Sequence, residues 1–355
     1  MADPLEEYRR KRDPDRTSEP MPDGPAARGN NDTFVIQQHH ARRLHWDLRL
    51  ERDGVLVSWA VPRGIPRDPA RNHLAVHTED HPLEYLDFHG EIPAGEYGAG
   101  RMTIFDRGTY QTEKWRDNEV IVVLNGNRVT GKYALFRTRG KDWMIHRMDP
   151  PEPGWSPIPD WQPPMTATKS SSLPADDDAW GYELSWQGVR AGGYISGAQL
   201  RLLASTGDDL TSSYPEVRAI VESLAPIECV LDGVIVAFDE HGRVSRAALE
   251  PRTRATDPAA ARRLAARVPV QYLIFDLLWL DGKHTVDLPY RQRRELLDDL
   301  SLAGPHWQTP PYFPGGGEIA LQTSREQGLP GVIAKRLDSP YQPGKRSRRW
   351  LAIAA

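Results

Sequence analysis

The feature that most constrains this chain is residues 43–51, RLHWDLRLE, where polar and apolar residues alternate without a break. Successive side chains of a strand point to opposite faces. Leu44, Trp46, Leu48 and Leu50 then share one face, and Arg43, His45, Asp47, Arg49 and Glu51 share the other. The apolar face can pack in a core. The polar face carries two cations, a histidine and two carboxylates, a set costly to place anywhere but in water or in a site.

The surroundings extend this pattern. From residue 34 to 148 the chain runs in short alternating segments split by Gly and Pro, among them 55–61, 73–78, 101–105, 119–124 and 132–137. Short strands at this spacing predict an all-β barrel or sandwich. Residues 1–33 are polar and poor in large apolar groups, which reads as an extended arm. Residues 149–178 hold seven prolines up to Pro164, then a Ser run and an Asp run, and read as a linker. From 179 to 355 strand-like pieces (181–184, 192–196, 229–238, 270–278) alternate with helix-like ones (215–224, 257–266, 290–300), predicting a mixed α+β domain. No internal repeat links the halves.

Two domains suit the 355 residues. The one cysteine, Cys229, excludes a disulfide framework or thiolate metal cluster within the chain and fits a reducing cytoplasm. No apolar run is long enough to span a bilayer, and the N-terminus lacks a signal-peptide core. The formal net charge of -4 gives no bulk argument for nucleic acid. Two basic clusters, residues 9–12 and 345–349, are candidate contacts, although such runs are ordinarily solvated faces.

His45 and Asp47, two residues apart on one strand face, are placed to share a metal, with His39 upstream as a third ligand. Two imidazoles and a carboxylate suit a divalent transition metal and leave positions for water or substrate. Arg49, next on that face, can fork onto a phosphate. In a second cluster, His73, His77 and Glu79 share alternation parity, and His81 and Tyr85 are candidates to contact the phosphate or protonate a leaving oxygen. An H-x-D pair alone is common and mostly structural. The bias of histidines is less common: seven of eleven fall between His39 and His89.

QQHHARRLHWDLRLE, VSWAVPRG and LAVHTEDHPLEYLDFHGEIPAGEYGAGRMTIFDRG occur in this order. Together they resemble the 3′-phosphoesterase domain of the bacterial DNA ligase D family over essentially all of residues 34–148. The resemblance implies a small β-barrel that uses Mn²⁺ to process DNA 3′ ends in non-homologous end joining. Such a domain removes a terminal ribonucleoside and then the 3′-phosphate. It implies His39, His45 and Asp47 as metal ligands and Arg49, His81 and Tyr85 as phosphate-binding and catalytic groups, with Gln37 in support. The family's arm motif is matched by Tyr8, Arg12, Asp13 and Glu19, which implies that Arg12, Asp13 and Glu19 fold over the site. In one departure, His73 stands where the family usually has Arg, and histidine cannot fork onto phosphate.

WGYELSWQGVRAGGYI, CVLDGVIVAFDEHG, VQYLIFDLLWLDGK and LPGVIAKRLDSPYQPGKRSRRW resemble the nucleotidyltransferase domain of ATP-dependent ligases of the same type. The motif that should read K-x-D-G-x-R places Ser185 at the lysine nucleophile and Gln187 at the aspartate. Val234 and Pro330 stand at acidic positions, and Ala352 and Ala354 at lysine positions. A serine without an adjacent base is a poor nucleophile. The resemblance therefore implies a degenerate ligase-like domain that does not use ATP covalently. Arg190, Phe275 and Lys335 persist at nucleotide-pocket positions, either for weak nucleotide binding or for packing alone.

Three function classes compete: a metal-dependent 3′-phosphoesterase with a pseudo-ligase as docking module, a non-enzymatic repair scaffold, and an active ATP-dependent ligase, which Ser185 opposes. The expected partners are DNA 3′ ends, a Ku-type end-binding protein and a separate ligase or polymerase. The expected location is the bacterial cytoplasm, at the nucleoid when on DNA, with no membrane association.

Overall fold

The computed structural model describes residues 3–22, 29–255 and 257–355. The chain divides into two units, 1–153 and 154–355.

The first unit is built on nine strands: β1 (Thr33–His40), β2 (Leu44–Arg52), β3 (Val55–Val61), β4 (His73–His77), β5 (Gly90–Ile92), β6 (Gly100–Arg116), β7 (Glu119–Gly126), β8 (Thr130–Arg139) and β9 (Asp142–Arg147). They pair in the order β1-β2-β3-β4-β9-β8-β7-β6, and β6 pairs back onto β1. Every pairing is antiparallel. Eight strands thus close an antiparallel barrel, which leaves no unpaired edge. β5 is added on β6. Leu48 lies opposite Trp59, Trp46 opposite Val61, and all four are buried, as the apolar alternation requires.

The polar face of β2 is buried as well. Asp47, Arg49 and Glu51 are each 5 % exposed or less. Two segments cover it: the 3-10 turn Leu83–Asp87 and the N-terminal arm. The arm is more than the extended tail that its composition predicts. It forms a short helix, Glu6–Arg10, and buries Leu5 and Tyr8 in a cluster with Val55, Leu56, Tyr85, Ile92 and Met102. Two well-placed apolar side chains are enough to seat it. Residues 1–2 and 23–28 of the arm lie outside the described residues.

The second unit has the expected α+β character. One sheet joins Thr166–Ser170, Arg346–Ala354, Gly331–Arg336, Trp180–Leu184 and Phe313–Pro314. The other is built on Gln199–Ala204, Val189–Ser196, Cys229–Ala237 and Val270–Leu280, extended by shorter strands. Helices include Pro258–Arg267, capped by the Asp257 carboxylate accepting from Ala260 N–H, and Tyr290–Asp299.

The reading of 149–178 as a linker is corrected beyond Pro153. Thr166–Ser170 is a strand paired in parallel with Arg346–Ala354. Met165 is fully buried among Tyr194, Trp279, Tyr341 and Trp350. Ser156 N–H donates to the Gly282 carbonyl at 2.7 Å. Proline density raised the apparent disorder, but a few large side chains at wide spacing anchor the segment. Among the described residues no helix is long and apolar enough to cross a membrane.

Candidate metal and phosphate site

The β1–β2 hairpin sets the register of the first site. His39 lies opposite His45, and Gln37 opposite Asp47. All four share the face opposite the apolar alternates of β2. The ligand atoms of His39, His45 and Asp47 lie within 4.8 Å of one another. His45 Nε2 is 3.6 Å and His39 Nδ1 3.8 Å from the Asp47 carboxylate. The His45 Nδ1–H donates to the Arg43 carbonyl at 2.9 Å, which leaves Nε2 with its lone pair toward Asp47. His39 Nε2 is buried without a hydrogen-bond partner. Burial pulls the His39 pKa below the ordinary histidine range, with the Asp47 charge opposing, so the neutral, metal-binding form is favoured. Two imidazoles and a carboxylate converging on one point fit a divalent metal.

Arg49 ties the site together. Its Nε–H donates to Gln37 Oε1 at 2.7 Å, its Nη1 to Ser58 Oγ at 3.0 Å and its Nη2 to Asp47 Oδ2 at 3.0 Å. The guanidinium also lies over the Tyr85 ring, 4.7 Å from the centroid. Gln37 in turn donates to the Tyr85 and Phe88 carbonyls. Arg49 therefore orders Asp47 while carrying its charge beside the metal triad.

His81 sits between two guanidinium groups, with Nδ1 3.0 Å from Arg49 Nη1 and Nε2 3.3 Å from Arg12 Nη2. With its hydrogen on Nδ1, His81 donates to the Glu79 carbonyl at 2.8 Å and accepts at Nε2 from Arg12, leaving Arg49 Nη1 beside Nδ1 without a hydrogen bond between them. Burial, then the charges of Arg49 and Arg12, hold the His81 pKa well below its ordinary value. Tyr85 is buried and its hydroxyl donates to Glu19 at 2.6 Å.

The arm closes this network. Arg12 pairs with Glu19 at 2.9 Å and Glu79 at 3.0 Å and stacks over Tyr8 at 3.8 Å. Lys11 reaches Glu79 at 2.8 Å. Arg12 and Glu19 thus lie over the site, and Glu79 pins the arm rather than touching the metal triad. Two residues are placed away from this network. Asp13 is exposed and shapes a turn, accepting from Asp15, Arg16 and Thr17 N–H groups. His73 Nδ1 bonds the Gly64 carbonyl at 2.7 Å, and the charges that act on it, Arg63, Arg71 and Asp68, lie outside the site. Lys11 and Ser58 were not legible as site residues: one sat in a generic basic run, the other carried no motif.

In the second unit the residual pocket groups are mutually engaged. Arg190 forks onto Asp232 at 2.7 and 2.6 Å and lies over the Phe275 ring at 4.5 Å. Lys335 pairs with Glu183 at 2.8 Å and lies over the same Phe275 ring at 4.4 Å. Burial lowers the Lys335 pKa, with Glu183 and Asp276 opposing. Val234 belongs to an apolar cluster with Val236, Leu273 and Phe275, against which Trp186 packs. Ser185 is half-buried, Gln187 and Pro330 are exposed, and Ala352 and Ala354 lie on the terminal strand. Sequence reasoning missed Glu183, Asp232 and Asp276 as partners; the retained Leu231-Asp232-Gly233 was the available signal for one of them.

Residues 37–137 match the family described as the DNA ligase D 3′-phosphoesterase domain, and 164–353 the ATP-dependent DNA ligase domain. The multifunctional non-homologous end joining protein LigD of Mycolicibacterium smegmatis is 45% identical over 99% of this chain and 45% of its own length. That of Pseudomonas aeruginosa is 32% identical over 99% of this chain and 47% of its own. The solved ligase domain of M. tuberculosis LigD is 36% identical, covering 54% of this chain and 60% of that one at a TM-score of 0.47. The chain spans about half the length of the curated relatives it matches. It belongs to the bacterial ligase D family, carrying a 3′-phosphoesterase domain followed by an ATP-dependent DNA ligase domain.

Proposed function

We propose that the first unit is a divalent-metal-dependent 3′-phosphoesterase, with Mn²⁺ as its metal, acting on DNA ends that carry a 3′-phosphate or a 3′-ribonucleotide. The observation that carries this reading is the convergence of the His39, His45 and Asp47 ligand atoms within 4.8 Å, beside the buried Arg49–His81 pair. When bound, the metal polarises a phosphoryl oxygen and lowers the pKa of a bound water. Arg49 and Arg12 offset the negative charge of the phosphoryl group. That anion in turn weakens the cationic field that keeps His81 neutral, raising its proton affinity beside the leaving oxygen. Tyr85 and Gln37 hold Arg49 in position.

The ligase-like unit is proposed as a docking module for DNA that does not adenylate itself. Its partners are proposed to be DNA 3′ ends, together with a Ku-type end-binding protein and a separate ligase or polymerase. A scaffold reading draws on one observation: the Arg49 nitrogens are already engaged within the protein.

The deciding measurement is cleavage of a primer-template bearing a 3′-phosphate or a single 3′-ribonucleotide. Release of phosphate or nucleoside is expected with Mn²⁺, with loss in chelator and in His39→Ala and Asp47→Ala. A parent protein that leaves both ends intact returns the chain to the scaffold class. Equal release in chelator removes the metal from the mechanism.

A further inference from the structure

Among the described residues, Tyr97 is the one large aromatic beside the metal triad whose ring stands in solvent; it is 48 % exposed. It lies in the loop 93–99, joining β5 to β6. Two successive turns fix that loop, Glu96 N–H donating to the Pro93 carbonyl and Ala99 N–H to the Glu96 carbonyl, each at 3.1 Å. Gly98 has φ +77°, which a glycine adopts freely. The loop borders the metal triad: a methyl built on Gly98 would lie 4.0 Å from His39 Cε1. The arm braces the same loop, Arg16 pairing with Glu96 at 2.7 Å. Lys11 Nζ lies 4.7 Å from the Tyr97 ring centroid and Arg12 Cζ 5.4 Å.

Single-strand recognition combines a rigid aromatic face for the base with cations that follow the backbone. The aromatic part is present here, one residue from Gly98 beside His39, with Lys11 and Arg12, both paired to Glu79, next to the ring. Accordingly, we propose that Tyr97 forms a nucleobase subsite: its open ring face stacks on the base of the 3′-terminal nucleotide while that nucleotide's phosphate sits at the metal triad. This rests on the phosphoesterase reading and adds what that reading lacks, a place for the base. Stacking is tolerant of base identity because every base has a π-face. The subsite therefore selects for the presence of a base, and for a single-stranded or frayed terminus over a stacked duplex end.

The competing role is purely structural, with Tyr97 only bracing Lys11 and Arg12. Two readouts separate them in the full chain. The first is the ratio of turnover on a 3′-phosphate primer with a normal terminal base to turnover on the same primer with an abasic terminal sugar. In Tyr97→Ala this ratio falls roughly tenfold or more, the scale of one lost base–aromatic stack. In Tyr97→Phe, which keeps the ring and loses the hydroxyl bonded to Lys11, the ratio is restored. An unchanged ratio in Tyr97→Ala, even with both rates reduced, overturns the subsite and leaves the brace. The second readout needs no catalysis: 2-aminopurine at the primer's 3′ terminus is quenched on binding metal-free parent protein and Tyr97→Phe, but not Tyr97→Ala. Equal quenching by Tyr97→Ala also overturns the proposal. If the parent quenches but never cleaves, the phosphoesterase reading fails while the subsite stands.

Discussion

At the residue scale, buried charge dominates the first unit. Arg49 touches Gln37, Ser58, Asp47 and His81 at once, so removing it strands the Asp47 carboxylate among buried groups. Breaking a buried pair from one side typically costs about 3–5 kcal/mol, and Arg49→Ala should lower the denaturation midpoint accordingly. His81 is the sharper probe of chemistry. A positioned general acid typically contributes about 10²–10⁴-fold, so His81→Ala should reduce kcat on the order of a hundredfold or more; turnover equal to the parent's would remove His81 from the mechanism. Acid should also loosen this unit. Burial holds His39, His73, His77 and His81 below the ordinary histidine value, and for His81 the Arg49 and Arg12 charges add to it. The unfolded chain takes up protons near pH 6.5 that these folded sites refuse. Their contribution is complete above that value and is lost as the pH falls below it. Asp80 runs the other way: burial raises it to about 6, so it favours the folded chain as the pH drops from there toward 4. With four histidines against one carboxyl, the urea midpoint of metal-free protein should fall between pH 7.5 and 5.5. A flat or rising midpoint would contradict the histidine assignment.

At the element scale, legibility followed the strength of the local pattern. The β2 alternation carries its own register, so one face could be read as core and the other as site before any coordinates; the pairing of His39 with His45 then follows from a short hairpin. The strand Cys229–Ala237 and the helix Tyr290–Asp299 were likewise legible from composition and apolar spacing. The arm is harder to read, because its anchoring depends on Leu5 and Tyr8 meeting Val55 to Met102, far along the chain, which no local window contains. The segment after Pro153 failed for the same reason. Its prolines suggested an open linker, yet Met165 fills a cavity between Trp279, Tyr341 and Trp350. Met165→Ala should therefore destabilise the second unit by about 2–5 kcal/mol, the range for large-to-small changes in a core. Thermal or urea unfolding of the full chain tests this. A change within a few tenths of a kcal/mol would restore the linker reading.

At the scale of the whole molecule, the two units differ in how many of the chemical groups implied by the resemblance they bring together. In the first, the implied metal ligands and their supporting groups are present and brought together. In the second, the resemblance puts Ser185 at the nucleophile position and Val234, buried among Val236, Leu273 and Phe275, at an acidic one, and the cations Arg190 and Lys335 are paired to Asp232 and Glu183. Attack on the α-phosphate of a nucleotide needs a strong nucleophile and a site that neutralises the phosphates. Ser185 lacks a basic hydrogen-bond partner among the described residues, and an apolar cluster stands where a carboxylate would help hold a metal. Incubation of the full chain with α-labelled ATP and Mg²⁺ or Mn²⁺ should therefore give no covalent adduct. Ser185→Lys alone should not restore one, because Val234 and Pro330 still leave the metal unsupported. Ser185→Lys combined with Val234→Glu and Pro330→Glu is the variant in which an adduct first becomes possible. A stoichiometric adduct in the parent would show that this unit retains a nucleophile of its own, and the docking role proposed for it would then be secondary to ligation.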